Sequence, residues 1–236
     1  MIDRSLNFGR PVIRRFLAAA DPCRSVLDIG AGRGEDLLSA RAVHPGAALH
    51  AIEVFPPNVE ILRHHGIRVV ELDLERDPFP FADETIDVVI ANQILEHTKE
   101  VFWIFHQITR VLATGGQLVI GVPNLAALHN RVLLLLGRQP SVIKTASAHV
   151  RGFTRQDLRH FLDAAFPGGF ALREQGGANF YPFPPALARP LARALPNLAW
   201  GLFLRLEKER RYRDEFLEFP ARARLETNFF RGSTVA

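Results

Sequence analysis

A short apolar run followed by a glycine at every second position constrains the fold of this chain more than any other feature. The stretch, residues 25–34, reads S-V-L-D-I-G-A-G-R-G. Its first five residues predict a buried parallel strand. Gly30, Gly32 and Gly34 predict a tight turn into a helix, because glycine adopts left-handed backbone and lets a ligand approach closely. Open α/β sheets bind nucleotides at the carboxyl ends of their strands, so we expect a binding site at this turn.

The charge around the turn indicates the kind of ligand. The dinucleotide fingerprint is G-x-G-x-x-G, whereas here the third glycine comes one residue earlier. Asp28, Glu35 and Asp36 place three carboxylates at the turn, and these would repel a pyrophosphate. A ligand with adenosine and a positive charge but no phosphate fits better, and S-adenosylmethionine, a sulfonium cation, is such a ligand. A purely structural glycine turn is the alternative.

Two segments resemble the class I S-adenosylmethionine-dependent methyltransferases. The glycine turn is similar to their first motif, D-x-G-x-G-x-G. Residues 110–124 fit the pattern R-V-L-x-x-G-G-x-L-x-I-x-V-P-N, which resembles the small-molecule branch often called type 11. The resemblance implies that the cofactor lies against ten residues, namely Asp28, Gly30, Ala31, Gly32, Gly34, Glu53, Val54, Asp73, Leu74 and Asn92.

Two acids in this set have individual roles. Glu53 ends the second predicted strand, about twenty residues beyond the glycine turn, where a carboxylate can accept hydrogen bonds from both ribose hydroxyls. A surface acid at a strand end is the alternative. The resemblance further implies that Asp73 accepts a hydrogen bond from the adenine amino group and that Leu74 packs on the adenine ring.

The order of elements predicts the fold class. Strands alternate with helices over residues 25–122, which predicts an α/β fold with a doubly wound, mostly parallel sheet. Two later strands, predicted at residues 170–175 and 198–206, are expected to form an antiparallel edge, as is typical of the resembled family. We therefore expect a seven-stranded, Rossmann-like methyltransferase sheet.

One domain accounts for most of the chain. The 236 residues suffice for a single α/β domain with a sizeable core. We predict a methyltransferase domain over residues 1–206, a lid-like insertion near residues 124–153, and a charged C-terminal tail over residues 207–236. The tail either folds back over the site or binds a partner subunit, and a homodimer is compatible with the sequence.

The acceptor side is predicted around two histidines and an arginine. His97 closes an L-E-H triplet after the fourth predicted strand, where the resembled family often has the same triplet over the methyl donor. His97 or His149 would serve as a general base, because a free imidazole titrates near neutrality; capping or packing is the alternative for His97. Residues 131–160 hold six Arg and Lys against one Asp, which favours an acceptor with an apolar body and an anionic group paired with Arg151. A solvated basic face is the alternative.

Composition and local sequence indicate the cellular compartment and the classes of ligand and partner. The single cysteine, Cys23, rules out an intrachain disulfide and suggests a reducing cytoplasm. The longest aliphatic run is too short to span a membrane, and the first residues lack the apolar stretch typical of a signal peptide. The net charge of +4 is too mild to indicate a nucleic-acid partner. We expect no bound metal, since the sequence shows no cluster with metal-ligand spacing.

These observations favour methyl transfer from S-adenosylmethionine, with O-methylation of a small-molecule or a lipid- or sugar-linked acceptor as the leading class. Two alternatives stay open. One is a nicotinamide-dependent oxidoreductase, against which the glycine spacing and the carboxylates speak. The other is a non-catalytic subunit that retains the cofactor site.

Overall fold

The computed structural model describes residues 2–20, 22–226 and 228–232. Eight helices are formed by these residues: α1 Arg10–Ala18, α2 Glu35–Val43, α3 Pro56–His64, α4 Val101–Val111, α5 Leu128–Leu135, α6 Arg155–Ala165, α7 Pro185–Ala194 and α8 Glu215–Arg222. Seven strands accompany them in the same part of the chain: β1 Ser25–Ile29, β2 Ala48–Ile52, β3 Arg68–Val70, β4 Ile86–Asn92, β5 Leu112–Pro123, β6 Phe170–Ala178 and β7 Gly201–Lys208. Short 3-10 helices cover Arg4–Phe8, Leu95–His97 and Pro196–Leu198.

The seven strands form one sheet in the order β3-β2-β1-β4-β5-β7-β6. The pairs from β3 to β5 are parallel, whereas β7 is antiparallel to both β5 and β6. This arrangement confirms the predicted doubly wound sheet with an antiparallel edge. The strand order reverses direction between β1 and β4, and a ligand crevice is expected outside the carboxyl ends of the strands at such a point.

Helices cover both faces of the sheet. One core cluster joins the sheet to α4, α6 and α8, and the other joins it to α1, α2 and α3. Phe105 and Phe216 in the first cluster and Phe16 in the second are fully buried. Burial of a side chain of this size stabilises a fold by about 1.5–3 kcal/mol relative to exposure, so these aromatic residues fix the helices on the sheet.

The segment predicted as a tail packs onto the domain. The predicted boundary at residue 206 lies inside β7, where Lys208 is buried and its Nζ donates to one carbonyl of α4 and one of β5 at 2.9 and 2.7 Å. The Phe216 ring in α8 lies 5.5 Å from the Phe105 ring in α4. The charged segment therefore supplies part of the core on the α4 side; residues 227 and 233–236 lie outside the described part of the chain.

The two ends of the predicted insertion lie next to each other beside the sheet. Asn124, directly after β5, forms a parallel bridge with Phe153, which precedes α6. Within the insertion, α5 begins at Leu128 and leaves apolar side chains such as Leu135 exposed. Helix α6 begins after Thr154, whose hydroxyl caps the helix by accepting from the backbone N–H of Asp157 at 3.1 Å.

Candidate active site

The glycine turn after β1 has left-handed backbone at Gly30, Gly32 and Gly34, with φ of 67°, 55° and 81°. A Cβ atom at Gly30 would lie 2.6 Å from Ile94, and one at Gly34 would lie 2.5 Å from Leu62. A Cβ atom at Gly32 would meet nothing within 4 Å. Packing therefore requires glycine at the first and third positions, whereas the middle glycine borders open space that a ligand can occupy.

Glu53 connects the end of β2 to this turn. The backbone N–H of Gly32 donates to Glu53 Oε2 at 2.7 Å, and those of Val54 and Phe55 donate to Oε1 at 2.9 Å. These bonds turn the chain directly after Ile52, where β2 ends. Each carboxylate oxygen can accept more than one hydrogen bond, so Glu53 retains acceptor capacity for a ligand.

An acid-rich cavity lies on one side of the turn, and we call it the acidic pocket. It has a volume of about 530 Å³ and is lined by Ser5, Phe8, Arg10, Asp28, Gly30, Ala31, Gly32, Arg33, Glu35, Asp36, Asn58, Asn92 and Gln93. Burial raises the pKa of Asp28 well above its usual range, and the nearby Asp36 raises it further. Burial also raises the pKa of Asp36, although its Oδ2 accepts from Asn92 Nδ2 at 2.7 Å.

Two buried oxygens of the acidic pocket lack a hydrogen-bond donor among the described residues. Asp36 Oδ1 and Asn92 Oδ1 are buried without a hydrogen bond in the described chain. Arg10 Nη1 lies 3.5 Å from Asp36 Oδ1, so the guanidinium of Arg10 forms an ion pair with the Asp36 carboxylate. Buried carboxylates and amide oxygens of this kind are stabilised by a cationic, hydrogen-bond-donating ligand.

A second cavity lies on the other side of the turn, and we call it the edge pocket. It has a volume of about 470 Å³ and is lined by Gly30, Ile52, Glu53, Val54, Leu72, Asp73, Leu74, Glu75, Ile94, His97 and Thr98. Asp73 Oδ1 accepts from the backbone N–H of Glu75 at 2.9 Å. Both cavities border Gly30, so together they flank the turn at the carboxyl ends of β1, β2 and β4. The combination of apolar walls with the acids Glu53, Asp73 and Glu75 suits a planar ring and its attached hydroxyls.

The structure brings the two predicted histidines together. Their ring centroids are 4.7 Å apart in an edge-to-face arrangement. His97 Nδ1 lies 3.2 Å from the carbonyl of Ala148, and His149 Nδ1 lies 2.6 Å from the carbonyl of Val142. Burial, and then the neighbouring His149, lower the pKa of His97, so its imidazole is neutral at pH 7.

Glu96 is a buried carboxylate beside this histidine pair that the predicted site did not include. Its residue is 1% exposed, and its Oε2 has no hydrogen bond to the described residues. Burial raises its pKa to about 7. The adjacent His97 Nε2 lies 3.9 Å from Glu96 Oε1. The signal in the sequence is the L-E-H triplet, which places this acid directly before the predicted base.

Arg151 closely follows His149 in sequence, but its guanidinium is directed elsewhere. Its Nε donates to the carbonyl of Thr98 at 3.2 Å, and its Nη2 donates to that of Lys99 at 2.5 Å. It lines a separate cavity of about 340 Å³ with residues of α4 and α6. The structure thus places His97 on the edge pocket and Arg151 outside it, and the anion-pairing role of Arg151 stays a prediction.

The N-terminal segment also contributes to the acidic pocket, through Ser5, Phe8 and Arg10. The predicted site did not include this segment. No local motif marks it, because the contact joins residues far apart in the chain: the Phe8 carbonyl accepts from Asn92 Nδ2 at 3.1 Å.

A doubly wound sheet with a glycine turn at the carboxyl end of β1 is typical of α/β proteins that bind nucleotides. Residues 6–175 match the family model described as a methyltransferase domain, and the chain belongs to this family. The match covers every residue that lines the two pockets except Ser5.

Two curated relatives are methyltransferases that match this chain over part of their length. An arsenite methyltransferase of Halobacterium salinarum is 32% identical over 127 residues, which cover 50% of this chain and 31% of that protein. A probable tRNA methyltransferase 9B of Mus musculus is 36% identical over 115 residues, which cover 48% of this chain and 24% of that protein. The chain therefore spans at most about a third of the length of these relatives.

A solved structure shows the same fold over nearly the whole chain. The SAM-dependent methyltransferase from Archaeoglobus fulgidus aligns with a TM-score of 0.58 and 17% identity, covering 87% of this chain and 95% of that one. At this identity the likeness concerns the fold alone. Among the described residues, no helix combines the length and the hydropathy needed to cross a bilayer.

Proposed function

We propose that the protein binds S-adenosylmethionine in the two pockets and transfers its methyl group to a hydroxyl of a small-molecule or a lipid- or sugar-linked acceptor. The acidic pocket is the observation that carries this proposal. Its buried Asp28 and Asp36 favour a cationic ligand, and S-adenosylmethionine carries both an ammonium and a sulfonium. The phosphates of a nicotinamide cofactor would meet the same carboxylates and be repelled.

The edge pocket fits the adenosine part of the cofactor. Glu53 retains acceptor capacity for the ribose hydroxyls, and Asp73 lies on the same pocket with Leu74 beside it. In this assignment the Asp73 carboxylate accepts from the adenine amino group and Leu74 covers the ring. An inosine analogue lacks that amino donor, so it should bind more weakly than the adenosine ligand, and equal affinity would contradict the role of Asp73.

The acceptor end of the cleft is assigned to His97 and His149. His97 lines the edge pocket, and its neutral imidazole has a nitrogen lone pair available near the cofactor. Methyl transfer is an in-line displacement at a carbon already activated by the sulfonium, so the protein mainly aligns donor and acceptor. Removal of the hydroxyl proton then needs a base or an ion close to the acceptor oxygen.

Calorimetry and a transfer assay test the proposal. Titration with S-adenosylmethionine and, separately, with NAD⁺ should show binding of the first only. A labelled methyl group should then be transferred to hydroxyl-bearing small molecules and lipid-linked sugars but not to bulk tRNA, which is included because one relative is a probable tRNA methyltransferase. Absence of S-adenosylmethionine binding would refute the cofactor assignment, and labelling of tRNA alone would refute the acceptor class.

A further inference from the structure

Three potential metal ligands converge beside the edge pocket. Glu96, His97 and His149 each present one ligand atom, and these atoms all lie within 4.8 Å of one another. Glu96 and His97 are consecutive in the 3-10 helix after β4, whereas His149 belongs to the insertion after β5. The backbone N–H groups of Val150 and Arg151 donate to the carbonyl of Glu96 at 2.8 and 3.2 Å, which fixes the insertion against the 3-10 helix.

The backbone contacts of both imidazoles leave Nε2 as the nitrogen available to a metal. Nδ1 of His97 and Nδ1 of His149 each face a backbone carbonyl, that of Ala148 and that of Val142. A carbonyl oxygen can only accept, so each Nδ1 carries the proton and each Nε2 keeps its lone pair. A histidine that binds a metal through one nitrogen commonly donates its other N–H to such a carbonyl, which fixes the ring orientation.

The buried carboxylate of Glu96 supplies the negative charge. Its Oε2 has no hydrogen bond in the described chain although the residue is 1% exposed. A buried carboxylate is unfavourable unless it is paired or coordinates a metal. The backbone N–H of Arg151 donates to the Glu96 carbonyl, but its guanidinium donates instead to the carbonyls of Thr98 and Lys99.

We propose that Glu96, His97 and His149 form a binding site for one divalent transition-metal ion. Two imidazoles and one carboxylate suit ions such as Zn²⁺, Mn²⁺ or Co²⁺ better than Mg²⁺ or Ca²⁺, which prefer all-oxygen sites. Ligands around a tetrahedral zinc ion, with bonds of about 2.0–2.1 Å, lie roughly 3.3 Å apart. His97 Nε2 and Glu96 Oε1 are 3.9 Å apart, so these two atoms must approach by about 0.6 Å to reach that separation.

Three protein ligands leave a coordination position open, as in catalytic zinc sites. His97 also lines the edge pocket, so the ion adjoins the cleft assigned to the cofactor. If methyl transfer proceeds as proposed above, on which this consequence rests, the open position takes the acceptor hydroxyl. The ion then lowers the pKa of that hydroxyl, whose proton leaves to water, and neither histidine acts as a free base.

Metal titration tests the site without the cofactor or an acceptor. The full chain, stripped of metal by a chelator and dialysed, is titrated with Co²⁺ while its visible absorption is recorded, and with Zn²⁺ by calorimetry. We expect one ion per chain and a loss of affinity of at least tenfold in Glu96→Gln, His97→Gln and His149→Gln. His160→Gln, which changes an exposed histidine in α6, should bind the ion like the wild type.

Several outcomes overturn the proposal. It fails if the wild type shows no Co²⁺ absorption bands at millimolar concentration, or if all four variants bind equally, which would place the ion elsewhere. Circular dichroism identifies any variant that does not fold. The metal affinities are then compared among the variants that do fold. If the protein binds the metal but not S-adenosylmethionine, the metal site is supported and only the proposed function is refuted. Methyl transfer unaffected by the chelator would refute the assignment of the acceptor hydroxyl to the ion.

Discussion

Replacement of Gly32 by alanine should separate the stability of the protein from its affinity for the cofactor. Gly32 has a φ of 55°, which is unfavourable for alanine by about 1–2 kcal/mol. The smaller conformational freedom of alanine in the unfolded chain offsets about 0.4–1 kcal/mol of this. Because the new Cβ would meet nothing within 4 Å, no steric clash adds to the cost. We therefore expect a loss of stability of about 1 kcal/mol, or roughly 2–4 °C in Tm for a chain of this size.

The affinity of the same variant should fall much further. The open space over Gly32 is where the proposed ligand passes between the two pockets, so the methyl group would occupy ligand volume. Overpacking of a fitted interface costs about 1–3 kcal/mol, which corresponds to a loss of roughly 5- to 150-fold. Calorimetry with S-adenosylhomocysteine measures this loss, and thermal unfolding of the unliganded protein measures the stability.

Gly66 provides a matched control. It has a φ of 66°, a Cβ there would also meet nothing within 4 Å, and it lies just after α3, outside both pockets. Gly66→Ala should lower Tm as much as Gly32→Ala and leave the affinity unchanged. Equal affinities for S-adenosylhomocysteine in the two variants would refute the assignment of the space over Gly32 to the ligand.

Three further predictions follow from the same contacts. Glu53→Gln should weaken S-adenosylhomocysteine binding by about 1.5–3 kcal/mol in calorimetry, since it removes the charge that accepts from Gly32 and the ribose, whereas exposed Glu60→Gln should not. Burial lowers the pKa of His106 to about 4, so the folded state excludes a proton that the unfolded state binds below pH 6.5. Stability should therefore fall as the pH drops from 7 to 5, and His106→Gln should reduce that fall by about 2 kcal/mol in urea denaturation; identical pH profiles would contradict this. Phe216→Ala should destabilise the protein by about 3–5 kcal/mol by opening a cavity against α4, while Phe55→Ala, at an exposed position, should leave the denaturation midpoint unchanged.

Elements defined by local signals were predictable from the sequence. Strand β1 and the start of α2 lie where the apolar run and the glycines placed them, and α6 begins at its Thr154 cap. The antiparallel edge was also predictable, although β7 begins at Gly201 because Pro196–Leu198 forms a 3-10 helix first. The antiparallel edge was expected from the resembled family, whereas the other features depend on neighbours in the chain, which a single sequence shows directly.

Contacts between distant segments were not predictable in the same way. The pairing of His97 with His149, and the unpaired carboxylate between them, depend on how the insertion returns to the sheet. The same holds for Arg10 at Asp36 and for the burial of Phe216 in a stretch rich in charge. A charged stretch predicts solvation on average, but α8 concentrates its apolar side chains on the face that packs against α4.

The strand order has a consequence for synthesis on the ribosome. β5 lies inside the sheet, but its neighbour β7 begins only at Gly201, after the insertion, α6, β6 and α7 have been made. At translation rates of about 5–20 residues per second, one edge of the apolar β5 remains unpaired for several seconds until β7 has been synthesised. An unpaired edge is a template for association with other chains. The nascent chain thus passes through a stage in which yield depends on chaperone protection of β5, so slower translation between β5 and β7 should favour aggregation over folding.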